Sequence, residues 1–475
     1  MTTTTSDSVS AVDPAALAAL TTRVGGPVLL PGDDAYDRGR ATFNLSVQHH
    51  PALVIGATSA ADVVEAVRFA GQHGLRVAVQ ATGHGPAEAA DGALLIDTSR
   101  MAAVSIDADT RIARVEAGVR WAAVITAASA HGLAALNGSS PTVGVVGYTL
   151  GGGLSPVLGR AHGYAADHVT AFDIVTADGR LRHVTAATEP ELFWAVRGGK
   201  ANFGVVTAIE FRLFPLTRLY GGGLYFPGAQ ASQILKAWRS WVETTPDELT
   251  SSVALLRLPP IPEVPEPLRG QFVVHVRVAY LGSAGDGEQL VTPVRTAGTP
   301  VIDTLADMPY SAVAAIHNDP VEPLPIHDRS TLLQDLPAAA IDRIVALAGQ
   351  DAEVPVTMVE IRHLGGALRR APQSLNAVAN RDAPFLLFAA SVAGPDEAVH
   401  HVALHTRLFA ALATWDTGRT FANFLAPGDN RPTHVMSAYL REDRHMLAAL
   451  KQLWDPQQIF SLTHAIRPTG SRSNA

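Results

Sequence analysis

The segment from Gly144 to Gly153 constrains the fold more than any other part of this sequence. It reads Gly-Val-Val-Gly-Tyr-Thr-Leu-Gly-Gly-Gly. A backbone with so few Cβ atoms lets N–H groups close on an anionic ligand such as a pyrophosphate. The spacing differs from the common dinucleotide fingerprint, and the chain has no GxxxxGK[ST] loop. Taken alone, such clustering more often marks a set of tight turns than an anion site.

A second glycine-containing loop, Gln80-Ala81-Thr82-Gly83-His84-Gly85, directly follows a predicted strand over residues 75–79. Ligand-binding loops of α/β folds lie at this position, after the carboxyl end of a strand. A single histidine there is usually a hydrogen-bonded structural residue, so His84 alone does not define a site.

The chain changes its pattern at Pro215. Before it, a helix is predicted from the capping residues Thr58 or Ser59 to Gly74, within an alternation of helices and strands. After it, proline-rich loops with interspersed strands and helices indicate a separate α+β domain. The other predicted strands cover 93–96, 112–115, 172–177, 181–184, 204–214, 272–278 and 357–364, and the other helices 121–130, 189–196, 338–348, 400–413 and 446–453.

Composition excludes several classes of partner. The chain has 475 residues, enough for two or three domains, and a net charge of −8, which gives no electrostatic case for binding nucleic acid. No run approaches the about 18 apolar residues that a membrane span needs. The Thr/Ser tract at residues 1–10 also lacks the features of a secretory signal. We therefore expect a cytoplasmic protein with no membrane association.

Cysteine is absent, which excludes disulfides, thiolate metal sites, cysteine nucleophiles and cysteinyl cofactor links. His401 and His405 have helical i, i+4 spacing, but no third ligand accompanies them. We predict an exposed helix face there and no metal site. Ser155 lacks the second glycine of a nucleophile elbow, and Pro156 follows it.

Two further motifs follow the glycine loops in order, Arg197-Gly198-Gly199-Lys200-Ala201-Asn202-Phe203-Gly204 and Trp454-Asp455-Pro456-Gln457-Gln458-Ile459-Phe460. With them the chain resembles the berberine-bridge-enzyme-like flavoproteins of the vanillyl-alcohol-oxidase and para-cresol-methylhydroxylase (PCMH) superfamily, from about Tyr36 to Pro468. The resemblance implies an α+β fold, in which an antiparallel sheet covered by helices is inserted into a bipartite PCMH-type FAD-binding domain. The implied boundaries are 1–215 for the FAD domain (core about 47–217), 216–420 for the substrate-binding cap, and 421–475 for the segment that completes the FAD domain.

The resemblance also implies how FAD is held. His84 matches the family histidine that bonds to the flavin 8α-methyl, and Ser140 stands where doubly linked members have cysteine. A single covalent bond, through His84 only, is therefore expected. Gln80 and Thr82 replace the arginine and a glycine of the commoner family loop, Arg-x-Gly-Gly-His, so the loop in this chain lacks a cation. His464 replaces the residue that relatives usually have beside the flavin ring. The implied FAD-binding residues are Gln80, Ala81, Thr82, Gly83, His84, Gly85, Ser139, Ser140, Thr142, Val143, Gly144, Gly147, Tyr148, Gly151, Gly152, Gly153, Leu154, Asp167, Val169, Gly204, Val205, Val206 and His464.

The catalytic residues implied by the resemblance are Glu360, His363 and Asn423. Phe421 stands where many relatives have a tyrosine, and it cannot act as a base. Glu360 lies on a predicted strand, and a carboxylate beside an apolar flavin face would have a raised pKa suited to general-base work. Strand alternation puts Glu360 and Arg362 on one face, so an ion pair between them is the alternative interpretation.

The resemblance implies an FAD-dependent oxidase acting on a small organic substrate, in the manner of secondary-metabolite oxidases. Hydride would pass to flavin N5, and molecular oxygen would return the flavin with release of hydrogen peroxide. Val143 favours an oxidase because similar proteins have a small aliphatic residue there when oxygen reaches the flavin. The alternatives are a non-redox cyclase or ligand-binding protein that uses FAD as a structural element, and a flavin-free hydrolase.

Overall fold

The computed structural model of the chain describes residues 13–352 and 356–468. The predicted N-terminal Thr/Ser tract, residues 1–10, lies outside the described residues. The architecture is a mixture of helices with parallel and antiparallel sheets, and the predicted α+β fold class is confirmed. No helix in the described ranges is both long and apolar enough to cross a bilayer.

The part of the chain before residue 216 forms two small sheets and a two-stranded ribbon. Its strands are β1 Val28–Leu29, β2 Leu53–Gly56, β3 Val77–Gln80, β4 Leu94–Asp97, β5 Val104–Asp107, β6 Ile112–Glu116, β7 Leu133–Ala134, β8 Val169–Val175, β9 Leu181–Thr185, β10 Val205–Arg212 and β11 Phe214–Pro215. Its helices are α1 Pro14–Arg23, α2 Tyr36–Arg40, α3 Ala60–His73, α4 Trp121–Ser129, α5 Val145–Leu150, α6 Gly159–His162 and α7 Pro190–Gly199.

The first sheet has the order β1-β2-β4-β3, with β4 parallel to both β2 and β3. Helix α3 connects β2 to β3, and the predicted caps are confirmed. Ser59 Oγ accepts a hydrogen bond from Asp62 N, and Gly74 ends the helix at φ +65°. Because β3 and β4 run in the same direction, Gln80 and Asp97 end them at one edge, where the loop containing His84 begins.

The second sheet is antiparallel, in the order β5-β6-β10-β8-β9. The predicted hairpin is confirmed as β8 and β9, whose connecting turn is closed by Asp178 through its hydrogen bonds to Thr176 and Arg180. Trp121 and Phe172 lie in the buried core between this sheet and helices α4 and α7.

The described residues between 216 and 420 form an eight-stranded antiparallel sheet and four α-helices. In sheet order the strands run β15-β12-β14-β13-β18-β19-β17, and β16 also pairs with β12. Their bounds are β12 Arg218–Pro227, β13 Leu249–Arg257, β14 Phe272–Tyr280, β15 Ile302–Asp303, β16 Ala306–Pro309, β17 Ile326–Leu333, β18 Met358–His363 and β19 Phe385–Val392. The helices are α8 Ala231–Val242, α9 Ala284–Arg295, α10 Ala338–Ala348 and α11 Pro395–Ala411.

The two faces of this large sheet differ in chemistry. One face is apolar and packs on the four helices, through residues such as Val276, Ile361 and Trp238. On the opposite face Tyr225, His275 and Glu360 lie in one row, and Arg277, Ser252 and Arg362 in the next. The sheet therefore has a packing face and a polar face.

The end of the chain packs back on the first sheet. Helices α12 Pro432–Ser437 and α13 Asp443–Trp454 precede a segment in which Ile459 O accepts a hydrogen bond from Val77 N. Ile459 and Phe460 are buried in the core that contains α3. These contacts agree with a C-terminal segment that completes the first domain, while the boundaries at 215 and 420 stay predictions.

Candidate active site

A cavity of about 390 Å³ lies at the carboxyl edge of the parallel strands. Its walls come from the loop after β3, the residues before and within α5, the start of β10, the C-terminal segment and the polar face of the large sheet. Most residues predicted to bind the cofactor line it, and Asn423 joins them. The predicted residues in its walls are Gln80, Ala81, Thr82, Gly83, His84, Gly85, Ser139, Ser140, Val143, Gly144, Gly147, Tyr148, Leu154, Gly204, Val206, Asn423 and His464.

The loop after β3 presents backbone donors to this cavity. The N–H groups from Ala81 to Gly85 donate no hydrogen bond to any described residue. At Gly85 and Gly147 an added Cβ would meet no atom within 4 Å, so the backbone is open on the cavity side. Gly83 has φ +65°, and a Cβ there would lie 2.6 Å from Thr42 Cα, so only glycine fits. Unpaired N–H groups in such a turn form an anion-binding concavity.

His84 is held in one orientation by its neighbours. Its ring stacks on Phe43, with centroids 3.8 Å apart and an interplanar angle of 9°. Nδ1 lies 3.0 Å from Thr82 Oγ1, and Nε2 lies 3.1 Å from Thr142 Oγ1. Burial, assisted by Arg120, lowers the pKa of His84 to about 4. The imidazole is therefore neutral at physiological pH and keeps a nucleophilic ring nitrogen.

Ser140 and Thr142 connect to His84 through hydroxyl groups. Ser140 Oγ lies 2.9 Å from Thr142 Oγ1, which in turn contacts His84 Nε2. Thr142 lies outside the cavity walls, so the structure assigns it a supporting contact with His84 in place of the predicted contact with the cofactor.

The glycines that end the glycine-rich segment are needed for packing. A Cβ at Gly151 would lie 1.9 Å from Asn423 Oδ1, and a Cβ at Gly153 would lie 2.6 Å from Ala165 Cβ. Gly152, at φ +114°, packs against Val378. These three glycines lie outside the cavity walls and permit close approach of neighbouring protein atoms, and their predicted contacts with the cofactor stay predictions.

The side chains of three other predicted residues are also placed elsewhere. The Asp167 carboxylate pairs with the Arg381 guanidinium at 2.6 Å and accepts a hydrogen bond from Asn376 Nδ2 at 2.8 Å. Val169 and Val205 are buried in the hydrophobic cores. These contacts involve the side chains, and the predicted contacts of Asp167, Val169 and Val205 with the adenosine half of FAD, mainly through the backbone, stay predictions.

The prediction that Glu360 has a raised pKa is wrong. Its Oε1 accepts hydrogen bonds from Arg277 Nη1 and Ser252 Oγ, both at 2.8 Å, and its Oε2 contacts Arg362 Nη2 at 2.8 Å. Burial opposes ionisation, but Arg362 and Arg277 outweigh it and hold the pKa of Glu360 well below its usual range. The ion-pair interpretation is correct, although the pair is buried. Glu360 lies outside the cavity walls and is not available as a base.

His363 is also not placed for catalysis. As strand alternation predicts, it lies on the face opposite Glu360, where its Nε2 is 3.1 Å from Arg160 Nη1. Burial lowers the pKa of His363 to about 3, and the side chain does not reach the cavity.

Asn423 is the one predicted catalytic residue that lines the cavity. Its Nδ2 donates a hydrogen bond to Tyr148 O at 2.7 Å, which fixes this residue of the C-terminal segment against α5. Tyr148 itself lines the cavity, and its buried hydroxyl has no hydrogen-bond partner among the described residues. Phe421 is buried and contacts Tyr164, in agreement with its exclusion as a base.

Sequence reasoning missed three residues at the site. Arg362 reaches the cavity from the polar face of the large sheet, and its alternation with Glu360 was the available signal. Lys200 lines the cavity, and its position directly after Gly198 and Gly199 was the available signal. Phe43, which stacks on His84, carries no sequence signal because the contact depends on tertiary structure.

The described residues include no group of histidine and acidic side chains able to hold a metal ion. His401 and His405 are buried, and His405 Nε2 lies 3.0 Å from Ser391 Oγ. The prediction of an exposed helix face at these histidines is therefore wrong.

The residues present fit FAD. The free N–H groups and open glycines suit a pyrophosphate, the valine and leucine walls suit an isoalloxazine ring, and neutral His84 lies at the wall. The fold and this site define a flavoprotein of the PCMH type. A family model described as an FAD binding domain matches residues 51–185.

Known proteins agree with this class. (R)-6-Hydroxynicotine oxidase of Paenarthrobacter nicotinovorans is 29% identical over 465 residues, which cover 94% of this chain and 98% of the relative. The solved structure of Physcomitrella patens BBE-like 1 has a TM-score of 0.81 at 22% identity, with 94% of this chain and 97% of that chain covered. The xylooligosaccharide oxidase from Myceliophthora thermophila C1 has a TM-score of 0.83 at 22% identity, with 96% and 99% covered.

The chain is therefore similar over most of its length to FAD-linked oxidoreductases, and it has the fold of the berberine-bridge-enzyme-like structures, as the sequence resemblance implies. It is an FAD-dependent oxidase, and the predicted cofactor and enzyme class are confirmed.

Proposed function

We propose that the chain oxidises a small, partly apolar organic molecule of the secondary-metabolite type, with FAD joined covalently to His84 alone. The observation that carries the cofactor part is His84 itself, a neutral imidazole fixed at the cavity wall between Phe43 and two threonine hydroxyls. When bound, FAD supplies the hydride acceptor at N5 and passes the electrons to oxygen, which gives hydrogen peroxide.

The walls toward the large sheet support a substrate with both apolar and polar parts. Leu154 and Phe424 are apolar, while Tyr148, Asn423 and Arg362 bring polar atoms to the same cavity. The Tyr148 hydroxyl is buried and has no partner within the described chain, and we propose that a bound molecule accepts its hydrogen bond. We assign Tyr148 and Asn423 to substrate orientation and leave Glu360 out of the chemistry.

The relatives suggest two substrate classes by their names, a hydroxynicotine and a xylooligosaccharide. Aromatic residues make up 6% of this chain, which does not favour the stacking platform of a sugar site. We therefore favour an alkaloid-like or other heterocyclic substrate, oxidised at a C–H bond that bears a hydroxyl or amine. The cytoplasmic location stays a prediction of the sequence.

Anaerobic mixing with candidate compounds tests the oxidase reaction on each substrate. Bleaching of the flavin absorption by a heterocyclic amine or alcohol, followed by peroxide release when air is admitted, is the expected result. Product formation with the flavin still oxidised would instead establish the non-redox alternative. Bleaching by oligosaccharides only would overturn the proposed substrate class.

A matched pair of tyrosine variants tests the orientation role. Tyr148→Phe removes the free hydroxyl at the cavity, and we expect the rate of flavin reduction per bound substrate to fall by about 10-fold or more. Tyr280→Phe, at the end of β14 and outside the cavity walls, serves as the control and should retain the wild-type rate.

A further inference from the structure

Lys200 is the one cationic side chain in the cavity walls that is not paired with any described residue. It lines the cavity, and none of the described residues accepts a hydrogen bond from its ammonium or forms an ion pair with it. Burial lowers the pKa of Lys200 to about 8, so it is still mostly protonated at neutral pH. A partly buried ammonium without a partner costs free energy that a bound anion would offset.

The backbone at Lys200 is also held in an unusual conformation. Its backbone has φ +56° and ψ −140°, a conformation that residues other than glycine rarely adopt. A non-glycine residue is strained in this conformation and keeps it only when its surroundings require it. The strain follows directly after Gly198 and Gly199 and places Lys200 at the cavity wall.

Other charges in the cavity walls do not take the place of Lys200. The Arg362 guanidinium is already paired with Glu360, with Nε and Nη2 at 2.9 and 2.8 Å from its Oε2. Gln80 and Thr82 give the glycine loop no cation, and the half-buried Glu88 is acidic. The pyrophosphate carries the only formal negative charges of oxidised FAD, so within these walls Lys200 is the cation left to meet them.

We propose that the Lys200 ammonium binds the pyrophosphate of FAD and supplies the positive charge that the loop from Gln80 to Gly85 lacks. The backbone N–H groups of that loop and Lys200 then form one anion site on two different segments of the chain. This proposal rests on FAD as the cofactor and does not depend on which substrate the enzyme oxidises or on the covalent bond at His84.

Phosphorus NMR of the flavin-loaded protein tests the contact directly. Lys200→Met removes the charge at similar length, and we expect the two pyrophosphate resonances of bound FAD to move while the flavin absorption spectrum and midpoint potential stay as in the wild type. Lys236→Met is the matched control, because Lys236 pairs with Asp342 on the protein surface, and it should move neither signal.

Two results would overturn the proposal. Unchanged phosphorus resonances in Lys200→Met would show that the ammonium does not contact the pyrophosphate. A shifted absorption spectrum or potential with unchanged phosphorus resonances would place the ammonium beside the isoalloxazine ring.

Two further variants keep the test decisive. If Lys200→Met retains too little flavin for NMR, Lys200→Arg is measured, and phosphorus resonances that match the wild type would contradict the contact. In a His84→Ala background, adding Lys200→Met should weaken FAD binding by about 10- to 100-fold and leave riboflavin binding unchanged, since riboflavin has no phosphate. Equal losses for both ligands would contradict it.

Discussion

His84 combines a nucleophilic nitrogen with a fixed ring orientation. The stacking on Phe43 and the two threonine contacts set the ring plane, and burial keeps it unprotonated. A protonated imidazole has no lone pair for bond formation, so the low pKa is what makes the residue chemically competent near neutral pH.

Replacing His84 with alanine should convert the cofactor from a covalent to a dissociable one. We expect acid precipitation to release FAD from His84→Ala, while most of the non-covalent contacts with the loop and with α5 remain. Intact mass and the colour of the precipitated protein measure this. His131→Ala, outside the cavity walls, is the control, and flavin that stays with the His84→Ala pellet would show that the bond lies elsewhere.

Glu360 is the counter-ion of Arg277 and Arg362, and we expect its replacement to lower the free energy of unfolding. Glu360→Gln leaves the buried Arg277 guanidinium without a compensating charge, which costs about 3–5 kcal/mol of unfolding free energy. Glu210→Gln breaks the more exposed pair with Arg114 and should cost at most about 1 kcal/mol. Urea denaturation compares the two. Unchanged stability together with a reductive half-reaction slowed about 100-fold would restore Glu360 as the base.

Asp328 gives the cap a pH-dependent stability. It lies on β17 with an unpaired Oδ1, and burial raises its pKa from 3.8 to about 7. The folded state binds this proton more tightly than the unfolded state does. Its contribution to the free energy of unfolding is therefore fully present below pH 4 and is lost as the pH rises through about 7. Asp328→Asn should therefore be more stable than the wild type at pH 8, by at least about 1 kcal/mol, and the advantage should vanish near pH 4. An equal difference at both values of pH would contradict this.

At the scale of single elements, helix α5 depends on a close approach by the C-terminal part of the chain. Gly151→Ala would put a methyl group 1.9 Å from Asn423 Oδ1, and we expect a loss of about 1–3 kcal/mol together with lower flavin content. Gly71→Ala, in the last turn of α3 where an added Cβ meets no atom within 4 Å, should be neutral or stabilising by about 0.5–1 kcal/mol. Thermal unfolding and the ratio of flavin to protein test both, and a Gly151→Ala protein with normal values would refute the packing argument.

Elements with strong local signals were predictable from the sequence. Ser59 and Gly74 define α3, and helix α10 begins and ends at the predicted residues, because caps and apolar periodicity act within a few residues. Helix α11 begins at Pro395, before the predicted start, since its N-terminal turn has no apolar stripe to reveal it. Helix α12 was not predicted at all.

At the scale of the whole molecule, a buried ion pair fastens the end of the chain. Lys451 Nζ contacts Asp455 Oδ2 at 2.6 Å and also donates to Asn202 O at 2.7 Å and Phe460 O at 3.0 Å. These contacts join α13, the glycine-rich motif near Lys200 and the final segment in one buried network.

Breaking that network should loosen one wall of the cofactor cavity. Asp455→Asn leaves Lys451 buried without a counter-ion, and we expect a loss of about 3–5 kcal/mol and faster proteolysis after α13. Glu243→Gln, which breaks the exposed i, i+4 pair with Arg239, should cost about 0.5 kcal/mol or less. Equal costs for the two variants would show that the buried pair does not anchor the segment.

The site was predictable only in part. Loop residues such as His84 were predictable because a local motif carries them. The positions of Asp167 and Glu360 were not, because each is decided by arginines far away in the sequence, Arg381 for the first and Arg277 for the second. Sequence spacing specifies which side chains share a strand face, but it does not specify which distant charges meet them.

The polar and apolar faces of the cap sheet allow substrate specificity to change while the fold of the cap is kept. Substitutions at polar-face residues that reach the cavity, such as Arg362, change what the site can bind, while the buried Glu360–Arg277 pair and the apolar face stabilise the sheet. Substrate recognition and packing of the sheet on its helices therefore depend on alternating residues of the same strands.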